Sequence, residues 1–259
     1  MKKLSEQLKE QIIKRMSIDN PWWITSTIPE DYKRMPPRAY LNEFHPLVND
    51  SEIRRAVILM GPRRVGKTVM IFHTIEKLIS AGTDPHKIIY ISIDTPIYNN
   101  TSLEELFTYA KEALLQDENS EGFYVFFDEI QYLKNWEVHL KSLVDTYRHV
   151  KFVASGSAAA ALKMKSNESG AGRFTDFMLP PLTFFEYINL LKLNSIITES
   201  ISGIPPYGTI NIDELNRHFI DYINYGGYPE VVFSEKIRQN PGQYIKNDII
   251  DKVLLRDLP

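Results

Sequence analysis

Residues 61–68 read Gly61-Pro62-Arg63-Arg64-Val65-Gly66-Lys67-Thr68, a match to G-x-x-x-x-G-K-[ST]. This spacing suits a polyphosphate. Small residues at Gly61 and Gly66 let successive backbone N–H groups turn inward around phosphate oxygens, and the positive end of a following helix faces the same anion. Lys67 is placed to reach β- and γ-phosphates and the Thr68 hydroxyl to bind Mg²⁺; with Val69, the stretch is the candidate phosphate-binding set. A second element, Tyr124-Val125-Phe126-Phe127-Asp128-Glu129, is an apolar run ending in two carboxylates. Ligands bind beyond the C-terminal ends of parallel strands, so Asp128 is expected beside the loop as a Mg²⁺ partner, directly or through water. Glu129 is then the candidate base that polarises a water attacking the γ-phosphate. Arg63 and Arg64 either lean toward phosphates or a partner, or form a solvated basic rim, and Arg54-Arg55 are expected to add to the same local positive density.

Such residues work only if a strand enters the loop and a helix leaves it. Short β-branched runs at 56–60, 87–93, 123–127, 150–154 and roughly 175–179 predict strands of a parallel sheet covered on both faces. Helical periodicity joins them: Ile71, Ile75 and Leu78 stopped by Gly82; Leu103, Leu106, Phe107 and Ala110 behind a capping box of Thr101 with Glu104; and Trp136, Leu140, Leu143 and Tyr147. Leu4, Leu8, Ile12 and Met16 predict one face of an N-terminal helix ending before Asn20-Pro21. The connector that follows holds five prolines, Pro21, Pro29, Pro36, Pro37 and Pro46, so it reads as a segment wrapped around a domain. Its Trp22-Trp23 and Tyr40 either cover a bound base or anchor it to the core. Asp94, at the tip of the second strand, either orients a water or caps the next turn. Beyond residue 183 the sequence predicts helices at 183–193 and 212–225, a loop over 194–211, a Gly226-Gly227 stop and a last helix near 242–256. The expected domains are thus 1–50, an N-terminal helix and connector; 51–182, the phosphate-binding core; and 183–259, a helical lid.

Composition narrows the function. With 30 Lys and Arg against 33 Asp and Glu, the chain has a formal charge of −3 and no global basic field, although a local basic patch is allowed. The absence of cysteine excludes disulfides, thiol catalysis and Cys-based zinc sites and fits a reducing compartment. No apolar run approaches the ~20 residues of a membrane span, so a cytoplasmic protein without membrane contact is expected. His45, His73, His86, His139, His149 and His218 show no i,i+4 pair, so no metal beyond Mg²⁺ is expected.

The complete strand 87–93 between the loop helix and the Asp-Glu strand resembles the additional-strand class of P-loop NTPases. In that class the Glu after the Asp is catalytic, and a polar sensor ends the following strand, which here offers Ser155 or Ser157. The set N-P-W-W (20–23), G-P-R-R-V-G-K-T (61–68), F-F-D-E-I-Q (126–131) with Trp136, S-G-S (155–157), G-R (172–173), L-P-P-L-T-F-F-E (179–186) and Y-G-G-Y-P-E (225–230) is more particular. It resembles the archaeal and bacterial AAA+-type P-loop ATPases that usually carry a C-terminal domain of unknown function. The resemblance implies an α/β, AAA+-like core whose parallel five-stranded sheet has the order 5-1-4-3-2, with ATP and Mg²⁺ as ligands. It also implies Arg173 as a charge-stabilising arginine acting in the same or a neighbouring subunit, and a homo-oligomer, since relatives often form rings. Two departures stand out. The lid region reads Gly226-Gly227-Tyr228-Pro229 where AAA+ lids often carry G-x-R, and at 259 residues the chain is short for the family, ending where a further domain would be expected.

The leading expectation is an ATPase that couples nucleotide state to a conformational change. The alternative is a nucleotide-gated switch for a protein or DNA partner with negligible turnover alone. A purely structural or nucleic-acid-binding protein without nucleotide leaves the loop and the Asp-Glu strand end unexplained.

Overall fold

The computed structural model describes residues 2–50, 52–99, 101–114, 122–157, 172–199, 207–209, 211–240 and 242. The chain divides into two compact units, Met1–Gly61 with Lys67–Met178, and Pro62–Gly66 with Leu179–Pro259.

The first unit is built on a five-stranded sheet of β1 (Ala56–Gly61), β2 (Ile88–Ser92), β3 (Phe123–Asp128), β4 (Val150–Ser157) and β5 (Phe174–Met178), in the order β2-β3-β4-β1-β5. All its pairings are parallel. The order is the expected 5-1-4-3-2 read from the other edge, and each strand lies within three residues of its predicted limits. All six residues of β1 are buried, as a central strand covered on both faces requires.

The crossover helices are α5 (Lys67–Ser80), α6 (Leu103–Ala113) and α7 (Trp136–Thr146), preceded in the chain by α1 (Lys2–Asp19), α2 (Trp22–Thr25), α3 (Glu30–Lys33) and α4 (Leu41–Asn49). The capping box of α6 is Ser102 with Glu105, one residue beyond the expected Thr101 and Glu104. Both registers satisfy the pattern; Ser102 Oγ is the group that accepts the Glu105 N–H. On α1 the buried stripe is narrower than predicted, because Ile12 and Met16 are buried whereas Leu8 is 46% exposed. Helix α1 packs on α6 and β2, while α3 and α4 pack on α5.

The Asn20-Pro21-Trp22-Trp23 segment seals an edge of the sheet. Strand β2 is an edge strand, and its outward carbonyl and N–H groups would otherwise be unpaired. Asn20 Oδ1 accepts the Tyr90 N–H at 2.6 Å and its Nδ2 donates to Tyr90 O at 2.9 Å, so one side-chain amide pairs as a neighbouring strand residue would. The indole N–H groups of Trp22 and Trp23 both donate to Ile88 O, at 2.9 and 2.8 Å. The tryptophans therefore anchor the connector. Tyr40 does likewise, its ring edge-on to Phe177 of β5.

In the second unit, α8 (Phe184–Leu190) begins at a capping box of Thr183 with Glu186 and packs Tyr187 and Ile188 with Leu182, Ile196 and Val232. Helix α9 (Ile212–Tyr225) ends at Gly226, where an added Cβ would lie 2.3 Å from the Tyr222 ring, so the residue must be glycine. The short helices α10 (Pro229–Phe233) and α11 (Glu235–Arg238) follow; the sequence reading lacked both. Within the expected loop 194–211, β6 (Thr198–Glu199) and β7 (Tyr207–Gly208) form a short antiparallel ladder. The expected helix at 242–256 lies outside the described residues, except for residue 242.

Candidate active site

Parallel pairing brings the C-terminal ends of β1, β3 and β4 to one end of the sheet, and with them Gly61, Asp128 and Ser157. Lys67 and Thr68 open α5 directly after the loop. Lys67 is buried, and its Nζ donates to Gly61 O at 3.1 Å. The Thr68 hydroxyl donates to Asp128 Oδ2 at 2.7 Å, joining two groups 60 residues apart. Within the second unit, the loop residues Arg64 and Gly66 have φ of 63° and 95°; the left-handed region costs Gly66 little.

Asp128 is 1% exposed and accepts four hydrogen bonds. Besides Thr68, the Tyr90 hydroxyl donates to Oδ2 at 2.9 Å, the Ser155 hydroxyl donates to Oδ1, and the Glu129 N–H donates to Oδ1 at 3.1 Å. These donors fix the carboxylate's orientation. Burial, reinforced by the Asp128 charge, pushes the Tyr90 phenol well above its ordinary range, so it remains a donor. Tyr90 stands in a short aromatic stack, its ring 4.9 Å from Phe72, which in turn stacks on Tyr32 at 3.9 Å.

Glu129 follows the strand in a left-handed conformation, φ 54° and ψ 43°, which costs a non-glycine residue about 1–2 kcal/mol. This turn breaks the alternation of β3, and the Glu129 carboxylate accepts a hydrogen bond from the Gln131 amide. The other end of that amide, Oε1, accepts the Ser157 N–H at 3.2 Å. Gln131 thus bridges the two strand ends.

The serines differ. Ser155 is committed to Asp128, and its Oγ also accepts the Glu129 N–H at 3.3 Å. Ser157 pairs in register with Gly61, and its Oγ is buried without a hydrogen-bond partner among the described residues.

Two expectations are corrected. Arg173 precedes β5 and its carbonyl accepts the N–H of Ala56, the first residue of β1. It therefore stands at the N-terminal end of the sheet, about one strand length (~17 Å) from the loop end of β1. There its guanidinium pairs with Asp145 at 2.7 Å, which excludes contact with a nucleotide held by its own subunit. Arg54 and Arg55 likewise precede β1, at the opposite end of that strand from Gly61. Asp94 is exposed and accepts the Ser92 hydroxyl at 2.6 Å, the turn-capping alternative.

The sequence reading missed Tyr90 and Gln131 as parts of the site. For Gln131 a signal existed in F-F-D-E-I-Q; for Tyr90, only a hydroxyl-bearing aromatic in an otherwise apolar strand. It also missed Glu230. That residue opens α10 within the second unit and pairs with Arg64 of the loop.

Thr68 and Asp128 both offer hard oxygen donors, the set that suits Mg²⁺, which is held by one or two carboxylates with substrate phosphates and water. The order of a strand ending at Gly61, a helix opening at Lys67 and an Asp-Glu strand end one strand away in the sheet is that of the AAA+-type P-loop class. A profile of the AAA domain matches residues 53–188, and the chain belongs to that family.

Among relatives, the chain is 27% identical to an uncharacterized protein of Methanocaldococcus jannaschii over 78% of its own length and 41% of the relative's. It is 24% identical to an uncharacterized protein of Haemophilus influenzae over 78% and 45%. The chain thus spans less than half the length of these relatives. Solved structures that resemble it include the Aeropyrum pernix ORC1 protein in complex with DNA, with TM-score 0.49 and 13% identity over 88% of this chain and 64% of that one. The Saccharomyces cerevisiae Hsp104–ADP complex gives TM-score 0.49 and 13% identity over 76% and 30%. Among the described residues, no helix is long and apolar enough to cross a membrane.

Proposed function

We propose that the chain binds ATP and hydrolyses it in a Mg²⁺-dependent reaction, coupling nucleotide state to a conformational change. The observation that carries this reading is the 2.7 Å contact of Thr68 Oγ1 with Asp128 Oδ2 at the strand ends. In this reading the loop from Gly61 to Val69 holds the phosphates through backbone N–H groups, and Lys67 exchanges its bond to Gly61 O for β- and γ-phosphate oxygens. Thr68 and Asp128 hold Mg²⁺. Bound there with nucleotide, the ion neutralises charge developing on the phosphate oxygens. Tyr90 and Ser155 keep the Asp128 carboxylate aimed, and Glu129 takes a proton from the attacking water once Gln131 releases it. Ser157, with its unpartnered hydroxyl beside Gly61, is the better sensor of the two serines. Arg64 and Glu230 supply a connection from the loop to α10, through which the change in the lid begins. The assignment keeps 1–50 as wrap, 51–182 as core and 183–259 as lid. A cysteine-free ATPase suits the cytoplasm.

The second reading is a nucleotide-gated switch for a protein or DNA partner with negligible turnover alone. The bond from Gln131 to Glu129 favours it, because it occupies the base. The test is a Mg²⁺-ATP thermal shift followed by multiple-turnover phosphate release. At a ligand concentration 100 times Kd, binding adds about 2.7 kcal/mol of stability. Lys67→Ala should lose that shift. A shift retained by Lys67→Ala would overturn the binding site, and a shift without turnover would support the switch.

A further inference from the structure

At the end of the sheet where the strands begin, the first unit holds an open cleft of about 840 Å³, floored by the starts of β3 and β4. Arg54, Arg55, Lys87, Arg148 and Lys151 line it. A smaller cleft of about 320 Å³ shares Arg54 and Arg148 with it and adds Arg173, so the two adjoin at those arginines and together make a track along the sheet's end. Six cations line this track against three carboxylates, Asp50, Asp84 and Asp145, in a chain whose formal charge is −3.

The carboxylates are already engaged. Asp50 Oδ1 accepts the N–H groups of Glu52 and Ile53, at 2.9 and 3.2 Å, and Asp84 Oδ1 accepts the His86 N–H at 2.9 Å. Asp145 holds Arg173. Lys151 is directed inward, its Nζ donating to Asp50 O at 2.8 Å, and burial lowers its pKa. Arg54, Arg55 and Arg148 are exposed and form no ion pair among the described residues.

A site for a single small anion converges its donors on a point. Here the cations are strung along an open track, which fits an extended polyanion. The arginine fork matches phosphate oxygens in paired hydrogen bonds. The half-buried ring of Tyr124 lines the same cleft, a place where an unpaired base would stack; Tyr147 lines it too, with Lys111 Nζ 5.3 Å over its ring and Phe107 edge-on at 5.0 Å.

We propose that this track binds a single-stranded nucleic acid through its phosphodiester backbone, with Arg54, Arg55 and Arg148 as the principal contacts. None of these three arginines belongs to the proposed ATP site, so the proposal stands whether or not the ATPase reading does. DNA and RNA offer the same backbone chemistry and are separated by the test.

The test is fluorescence anisotropy of the 259-residue chain with labelled (dT)20, (rU)20, a 20-base-pair duplex and a 20-residue poly-glutamate. The single strands should bind most tightly, with affinity falling as salt rises, and whichever of (dT)20 and (rU)20 binds more tightly names the nucleic acid. Arg54→Ala/Arg55→Ala/Arg148→Ala should weaken that binding at least about tenfold and flatten the log–log salt slope by about 2, at ~0.7 for each phosphate no longer neutralised. Basal phosphate release should not change, and Lys67→Ala should bind the strand as the wild type does. If the triple variant loses its cooperative melting transition, Arg148→Ala alone should flatten the slope by about 0.7. Unchanged affinity and slope in a folded variant would overturn the proposal. So would tighter binding of poly-glutamate, which would make the track a dock for acidic protein, or tighter binding of the duplex.

Discussion

At the C-terminal end of the sheet Asp128 is 1% exposed and accepts four hydrogen bonds, while at the N-terminal end Arg54, Arg55 and Arg148 stand exposed with no carboxylate partner among the described residues. Both ends are polar, but their groups are held in different ways. Buried groups that hold one another in place are preorganised for one ligand geometry, and losing a donor leaves a neighbour unpaired. Exposed charges are screened by salt and impose little geometry. The first arrangement suits a metal–phosphate complex, and the second a long polyanion whose position along the track need not be fixed.

The largest effect should come from Glu129→Gln, which tests whether the buried end is catalytic. Removing a general base costs about 10²–10⁴ in rate. Phosphate release should fall by that range while the Mg²⁺-ATP thermal shift survives. Equal turnover by the variant and the wild type would remove Glu129 from catalysis and leave the buried network as a binding device. Binding of single strands at the opposite end should not respond.

Asn20→Ala asks how far the order of the buried end depends on the N-terminal wrap. It deletes bonds to Tyr90 N, Tyr90 O and Met16 O and leaves the edge of β2 open. A buried polar group left without its partner costs about 1–3 kcal/mol, so urea unfolding should report a loss of roughly 2 kcal/mol. A loss below about 0.5 kcal/mol would mean that the edge is satisfied in another way. Tyr90→Phe is the gentler companion. It removes one donor to Asp128 and should cost about 1 kcal/mol at the metal site, read as an approximately fivefold rise in the Mg²⁺ concentration for half-maximal turnover. If the Mg²⁺ dependence stays fixed while only the melting temperature falls, Tyr90 is a packing residue.

The buried end was the more legible in sequence, and for a physical reason. A loop that wraps phosphate needs small residues at fixed spacing, and a strand that delivers a carboxylate must be apolar until its last residues, so both features are local and contiguous. The five strands followed from β-branched runs, and their order from the resemblance that Asp128, Glu129 and the intervening strand carried. Interactions between distant segments left no comparable trace. Asn20 finds Tyr90, and Gln131 joins Glu129 to Ser157, only after the strands are aligned. At the other end, sequence proximity misled. Arg54 and Arg55 lie within ten residues of the loop along the chain, yet β1 runs between them and carries the loop away. Arg173 was named from the resemblance rather than from proximity; it precedes β5, whose far end is the one beside Gly61, so the neighbouring-subunit alternative of that expectation is the one left to test.

Arg173→Ala should give the smallest effect and bears most directly on the division between the two ends. Its pair with Asp145 is nearly half exposed, and exposed ion pairs contribute about 0–1 kcal/mol. With the guanidinium at the wrong end of the sheet for its own nucleotide, turnover at dilute protein should stay within about twofold of wild type, and melting should be nearly unchanged. The one route by which Arg173 could still stabilise phosphoryl transfer is a neighbouring subunit that presents its N-terminal end to this one's site. That route has a signature: specific activity would rise with protein concentration in the wild type and not in Arg173→Ala. Adding Glu129→Gln protein, which keeps its own Arg173, would then restore turnover to the arginine variant. Rescue of that kind would join the two ends across an interface. Its absence, with wild-type turnover at every concentration, would leave the ATP site at one end of the sheet and the basic track at the other as separate devices on one core.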